Sequence, residues 1–169
     1  KTTLSMNILI LGSGCRDHRL AYKLSHSKTC EKLFVSLGNA CIAKIARNVS
    51  ITVTDFKAVK DVVLREKIEM VVVGPEDPLV EGIQNFFAED EELRQVAVIG
   101  PSKRGALLEG SKERAKEFMA LHNIPTAAYQ SFTAESLEAG KVFLDTLNSP
   151  YVLKADCLAA GKGVLSLDN

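Results

Sequence analysis

Apolar residues in the first hundred positions fall in short, nearly unbroken runs separated by amphipathic stretches. Residues 7–11 (Asn-Ile-Leu-Ile-Leu), 32–36, 69–73 and 96–99 are such runs. Continuous runs suit strands covered on both faces, as in a parallel sheet, where no polar alternation is needed. Residues 48–53 form a short strand-like stretch. Between the runs the period lengthens. A helical pattern passes through Leu20, Ala21 and Leu24. Asp55 is placed to cap a helix over 56–67, with Val59, Val62 and Val63 on one stripe. A further helix is expected over 79–88, with an acidic, solvated end at 89–92. Strand, turn and helix in repeated succession predict a doubly wound α/β domain.

Beyond Pro101 the pattern changes. Residues 103–123 are largely helical, interrupted at Glu109-Gly110-Ser111-Lys112, where Ser111 can cap a second helix. Lys112 then sits in a first turn, against the dipole preference unless it meets an anion. Pro125 ends this region. Residues 127–132 read as a strand, Thr133 as the cap of a helix through 147, and residues 151–153 as another strand. Strand, helix, strand and hairpin open a second lobe with little core of its own.

The turns carry the chemistry. The first run leads into Gly12-Ser13-Gly14-Cys15-Arg16-Asp17-His18-Arg19, and a helix follows. Helix N-termini of this kind present free N–H groups and a positive dipole end to anions, and Arg16 and Arg19 strengthen that field. A dinucleotide fingerprint fails here. Its third glycine falls on Asp17, and its acid after the second strand is replaced by Leu37 and Gly38. A single phosphate or a phosphorylated sugar fits better. Gly38-Asn39-Ala40-Cys41 is a small-residue loop that a parallel sheet would bring near the first, though by itself it reads as a plain turn. Gly74-Pro75-Glu76-Asp77-Pro78-Leu79 clamps two acids at a strand's C-terminal end, where such sheets bind ligands. Those acids suit sugar hydroxyls or the start of the next helix.

Near the end, Tyr151 to Leu153 and Val164 to Leu167 flank a loop containing Gly161-Lys162-Gly163, with Lys154 at its base. Glycines let the backbone approach a ligand, and two lysines supply charge, which points to a polyphosphate. The loop is not a P-loop, because Asp156 and Gly163 occupy positions where that motif needs Gly and Ser or Thr. Without its context, Gly-Lys-Gly reads rather as a glycine-bearing hairpin with solvated lysines.

Composition narrows the picture by exclusion. With 21 basic and 21 acidic residues in 169, nothing global favours nucleic acid or an anionic membrane. No apolar run is long enough to span a bilayer. Residues 1–5 read as a leader or appended remnant, with Met6 as the natural start. Cysteines at 15, 30, 41 and 157 have no Cys-x-x-Cys spacing, and histidines at 18, 26 and 122 are scattered. The expectation is reduced thiols in a cytoplasmic protein with no metal cluster.

Six motifs in order resemble the phosphoribosylamine–glycine ligase (glycinamide ribonucleotide synthetase) family of the ATP-grasp superfamily. That family shows Gly-x-Gly-Gly-Arg-Glu-His where this chain has Gly12 to His18. It shows Pro-Gly-Asn-Ala-Gly at Leu37 to Cys41, Gly-Pro-Glu-x-Pro-Leu at Gly74 to Leu79 and Glu-Gly-Ser-Lys at Glu109 to Lys112. Ile-Pro-Thr-Ala matches Ile124 to Ala127, and Lys-Ala-Asp-Gly-Leu-Ala-Ala-Gly-Lys-Gly-Val matches Lys154 to Val164 except for Cys157. Cys15, Cys41 and Cys157 each stand where the family has glycine.

The resemblance implies a Rossmann-like, pre-ATP-grasp N-terminal domain over 6–101 that binds phosphoribosylamine. A helical connector over 102–125 and a truncated ATP-grasp lobe over 126–169 would follow. It implies that phosphoribosylamine and glycine are joined as ATP is cleaved to ADP and phosphate with Mg2+, glycine's carboxylate being phosphorylated and then attacked by the amine. Gly14, Cys15, Arg16 and His18 would hold the ribose phosphate, and Asn39 and Glu76 the phosphoribosyl group. Lys112, Lys154, Gly161, Lys162 and Gly163 would meet ATP phosphates. The metal-binding acids, the glycine site and most adenine contacts would lie beyond residue 169. No catalytic or metal-binding residue of this chain is therefore named, and the fragment alone is expected to be inactive. The family includes free-standing enzymes and fusions to other purine enzymes. The alternatives are another ATP-grasp carboxylate–amine ligase or carboxylase, and a Rossmann-type nucleotide-binding module.

Overall fold

The computed structural model describes residues 5–158 and 162–168. Contacts divide the chain into two units, residues 1–106 and 107–169.

The first unit is built on five parallel strands: β1 (Met6–Leu11), β2 (Cys30–Ser36), β3 (Arg47–Val49), β4 (Met70–Val73) and β5 (Ala97–Ile99). Their order is β3-β2-β1-β4-β5, all pairs parallel. The chain winds outward from β1 through β2 to β3, then crosses back to place β4 on the other side of β1. This confirms the doubly wound fold.

The unbroken apolar runs are explained by the two cores. Ile8 and Ile10 of β1 face one side with Leu33, Val35, Ile42 and Ala21 of α1 (Cys15–Ser25). Leu9 and Leu11 face the other with Phe34, Val71 and Val73. There they meet Val59, Val62 and Val63 of α2 (Phe56–Arg65), the stripe expected from the sequence. Asp55 caps α2 as its side chain accepts from the Ala58 N–H at 3.1 Å.

The helix expected over 79–88 is two helices. α3 (Asp77–Glu81) tolerates Pro78 because first-turn N–H groups lack intrahelical partners. Gly82 then adopts a left-handed φ of 101°, ending α3 before α4 (Ile83–Glu89) begins. α4 buries Ile83 and Phe87 in the second core.

Helices α5 (Lys103–Gly110) and α6 (Lys112–Leu121) follow β5 in the chain. Ser111 caps α6, accepting from the Arg114 N–H at 3.1 Å. The strand expected over 127–132 does not form: with no partner strand, side chains fix the segment instead. The Lys116 ammonium donates to Thr126 Oγ1 and the Ala127 carbonyl and lies over the Tyr129 ring. Phe132 packs on Phe143. The helix expected from 133 to 147 is a short 3-10 turn (Ala134–Ser136) leading into α7 (Leu137–Leu144). Strands β6 (Tyr151–Lys154) and β7 (Val164–Leu167) pair antiparallel, as expected for the hairpin.

Candidate functional site

Because β1 and β4 are neighbours with Leu11 opposite Val73, the loops that follow them leave the sheet side by side. The Gly74 N–H donates to the Leu11 carbonyl at 2.9 Å. Between these loops lies a cavity of about 460 Å³. Gly12, Ser13, Gly14, Cys15, Arg16 and Asp17 line one wall and Gly74, Pro75 and Glu76 the other, with Leu37 and Val53 beside them. This is the switch point of the winding, where doubly wound sheets take their ligands.

The first glycine loop is fixed from three sides. The Gly12 N–H donates to the fully buried Ser36 hydroxyl at 2.9 Å. Gly12 has φ 134°, a conformation side chains rarely adopt. The Gly14 N–H donates to Asp17 Oδ2 at 2.8 Å, tying the turn to the helix it starts. Asn39, in the loop after β2, donates from Nδ2 to the Ser13 carbonyl at 3.1 Å. Its Oδ1 accepts from the N–H groups of Cys41 and Ile42 at 2.9 and 3.0 Å. The two small-residue loops are thus adjacent, joined by Asn39.

Among the residues singled out from sequence, Gly14, Cys15, Arg16 and Glu76 line the cavity. His18 is half-buried on α1, and Asn39 serves as the brace between the loops. Asp17, noted above only as the residue that breaks a dinucleotide fingerprint, is buried and contacts both loops. A Cβ added at Gly12 would meet its carboxylate at 2.5 Å, and one at Gly74 at 1.9 Å. The motif Gly-x-Gly-x-x-Asp carried this signal, since an acid at the third helical position can bond back to the cap N–H.

The cysteines at glycine positions do not strain the backbone. Cys15 opens α1 and Cys41 has φ −75°, and Cys157 is not among the described residues of positive φ. Leu37, which stands where the family has proline, does carry strain. Its φ of 49° costs about 1–2 kcal/mol for a side chain of this size, and a proline in its place could not adopt it.

In the second unit, the loop after β6 is fastened to the start of α6. Asp156 accepts from the N–H groups of Lys112 and Glu113 at 2.6 and 3.1 Å and from the Ser111 hydroxyl at 3.0 Å. The Lys112 ammonium donates to the carbonyls of Ala155 and Cys157 at 2.7 and 2.9 Å. Lys112 therefore meets its acceptors within the unit, which answers the dipole mismatch expected of it. Lys154 ends β6 opposite Val164, and Lys162 is exposed. Gly163 accepts from the Ala155 N–H at 2.8 Å, while Gly161 lies outside the described residues.

Burial raises the Asp156 pKa. The Glu113 N–H, the Ser111 hydroxyl, the Lys112 N–H and the Lys112 charge together outweigh it, so the group titrates below its ordinary value of 3.8. A depressed carboxylate stabilises the fold above its unfolded pKa, and that contribution is lost as pH falls through the folded value. Thermal stability of the second unit should be independent of pH near neutrality, where the Asp156 contribution is fully present, and should fall below about pH 4. Asp156→Asn should remove this part of the pH dependence, and an unchanged acid limb in that variant would refute the assignment.

Among the described residues no cluster of His, Cys, Asp or Glu is placed to hold a metal, and no helix is long and apolar enough to cross a membrane.

A parallel sheet with a glycine turn and an acid-bearing loop at its switch point defines a ligand-binding domain of the doubly wound α/β class. The chain belongs to the phosphoribosylglycinamide synthetase family: the model of the family's N domain matches residues 6–109, and that of its ATP-grasp (A) domain residues 110–169. It is 47% identical over 159 residues to a phosphoribosylamine–glycine ligase of Mesorhizobium japonicum, covering 94% of this chain and 36% of that protein. It is 43% identical over 162 residues to the Escherichia coli K12 ligase of the same name, covering 95% and 36%. The crystal structure of the Thermotoga maritima phosphoribosylamine–glycine ligase superposes with TM-score 0.70 at 31% identity, over 96% of this chain and 36% of that one. An N5-carboxyaminoimidazole ribonucleotide synthetase in complex with ADP shares the fold, with TM-score 0.73 at 20% identity, over 100% and 43%. The chain spans about a third of the length of the curated ligases it matches.

Proposed function

We propose that this chain is the N-terminal part of an ATP-dependent ligase of de novo purine biosynthesis that joins phosphoribosylamine to glycine. The observation that carries the reading is the cavity between the loops after β1 and β4, where an arginine and a helix start face an acid-bearing loop. Arg16 and the first-turn amides of Cys15 and Arg16 suit a phosphate, since those amides have no intrahelical acceptor. The Gly14 N–H is already engaged by Asp17, so Gly14 contributes by its small size. Glu76 suits the sugar hydroxyls. His18 supports the phosphate from α1, and Asn39 holds the cradle together.

In the second unit, Lys154, Lys162 and the glycines at 161 and 163 suit the phosphates of ATP, which the family's ATP-grasp domain takes with Mg2+. Lys112 acts there by fixing the loop, as its ammonium is held by two carbonyls. Catalysis requires the length of the relatives, and the 169 residues alone bind without turning over. The compartment is the cytoplasm, and the full-length protein is either free-standing or fused to other purine enzymes.

Calorimetric titration of glycinamide ribonucleotide, and separately of NAD, tests the reading. The ribonucleotide should bind saturably and NAD should not. Arg16→Ala removes a charged hydrogen bond to phosphate, worth about 1.5–3 kcal/mol, and should weaken binding by tenfold or more. Binding of NAD instead would overturn the assignment.

A further inference from the structure

Asp17 is more than nine-tenths buried, at 7% exposure, and it lines the cavity. Its two carboxylate oxygens differ. Oδ2 accepts from the Gly14 N–H at 2.8 Å. Oδ1 lies against the backbone at Gly74, and among the described residues it has no donor. The neighbouring Gly74 N–H is directed at the Leu11 carbonyl instead. A carboxylate oxygen accepts hydrogen bonds, and Oδ1 is not sealed from the surface, so it remains available to a donor that enters the cavity. Because Asp17 lines the cavity, a ligand held there can supply that donor.

Charge decides which part of the ligand that is. A phosphate beside Oδ1 would be repelled. A hydroxyl brings its own proton and is not. The opposite preference holds at Arg16 and the first turn of α1, where the field favours the anion.

We infer that Asp17 is a specificity-determining residue: its Oδ1 accepts a hydrogen bond from a hydroxyl of the sugar. The ligand then lies with its phosphate toward Arg16 and its hydroxyls toward the ends of β1 and β4. This rests on the assignment of the cavity to a phosphoribosyl group.

The test is calorimetry on the 169-residue chain with ribose 5-phosphate and with inorganic phosphate, for wild type and Asp17→Asn. The amide oxygen of that variant can keep the Gly14 N–H, which leaves an NH2 donor where Oδ1 was. Ribose 5-phosphate should bind at least tenfold more weakly to the variant, while inorganic phosphate binds equally or more tightly. Affinities that fall in parallel, or ribose 5-phosphate affinity that does not change, would overturn the inference and leave the cavity assignment standing. A wild-type chain that binds neither probe overturns both. Should Asp17→Asn fail to fold, wild type is titrated with propyl phosphate, which carries no hydroxyl. Tenfold weaker binding than ribose 5-phosphate that persists in Glu76→Gln supports the reading, and equal binding, or a preference lost with Glu76, overturns it.

Discussion

Alanine at position 74 is expected to destabilise the first unit by about 3 kcal/mol and to abolish ligand binding at the cavity. The added methyl would lie 1.9 Å from Asp17 Oδ1 and 3.0 Å from the Leu11 carbonyl oxygen. The carbonyl belongs to the central strand and cannot retreat. The carboxylate is buried and tied to the Gly14 N–H, so moving it breaks the bond that closes the first glycine loop. Either adjustment deforms both walls of the cavity. Thermal unfolding and calorimetry on the same sample check this. A Gly74→Ala chain with wild-type stability and wild-type affinity would show that the loops are less tightly apposed than described.

The second large effect is confined to the core. Phe87 is 1% exposed, in the cluster that includes Leu9, Leu11, Val59 and Ile83, and it meets Phe86 edge-on at 6.1 Å. Phe87→Ala should lower stability by about 3–5 kcal/mol, through lost apolar contact and the cavity left behind. For a unit of this size that is about 12 °C or more in unfolding midpoint. Below that midpoint its affinity for ribose 5-phosphate should stay at the wild-type level, because Phe87 lines no part of the cavity. Loss of affinity in the folded variant would mean that α4 takes part in the site. The two substitutions thus separate stability from binding.

The elements that could be read from the sequence were those whose partners are implied by their own pattern. The runs of β1 and β4 required cover on both faces, and a parallel sheet supplies it. The valine stripe of α2 named the face it buries. Asp55 and Ser111 announced their helices because capping is local chemistry. Residues 127–132 misled for the opposite reason. Their strand-like composition is real, but a strand needs a neighbour, and side-chain contacts hold the segment instead. Gly82 lies inside a plausible helical stretch, and one glycine does not reveal from sequence whether it will turn left-handed.

At the site, the glycine turns, Arg16 and Glu76 were legible because their chemistry is carried by residue type. Asp17 was legible only as an exclusion. Its contact with Gly74, 57 positions away in the chain, exists only once β4 has been laid beside β1. The tie between Asn39 and Ser13 is long-range in the same way, though the expected adjacency of their loops pointed toward it.

The fastening of Lys112 has a further consequence for the hairpin. In a trans peptide the C=O and the following N–H point in opposite directions across one rigid plane. Lys112 draws the carbonyls of Ala155 and Cys157 toward its ammonium. The N–H bonds of Asp156 and Leu158 share those planes and so must point away from the lysine. One buttoned cation thereby sets the polarity of two amides it never touches, and a methionine at 112, which brings no donor, would leave them free to turn.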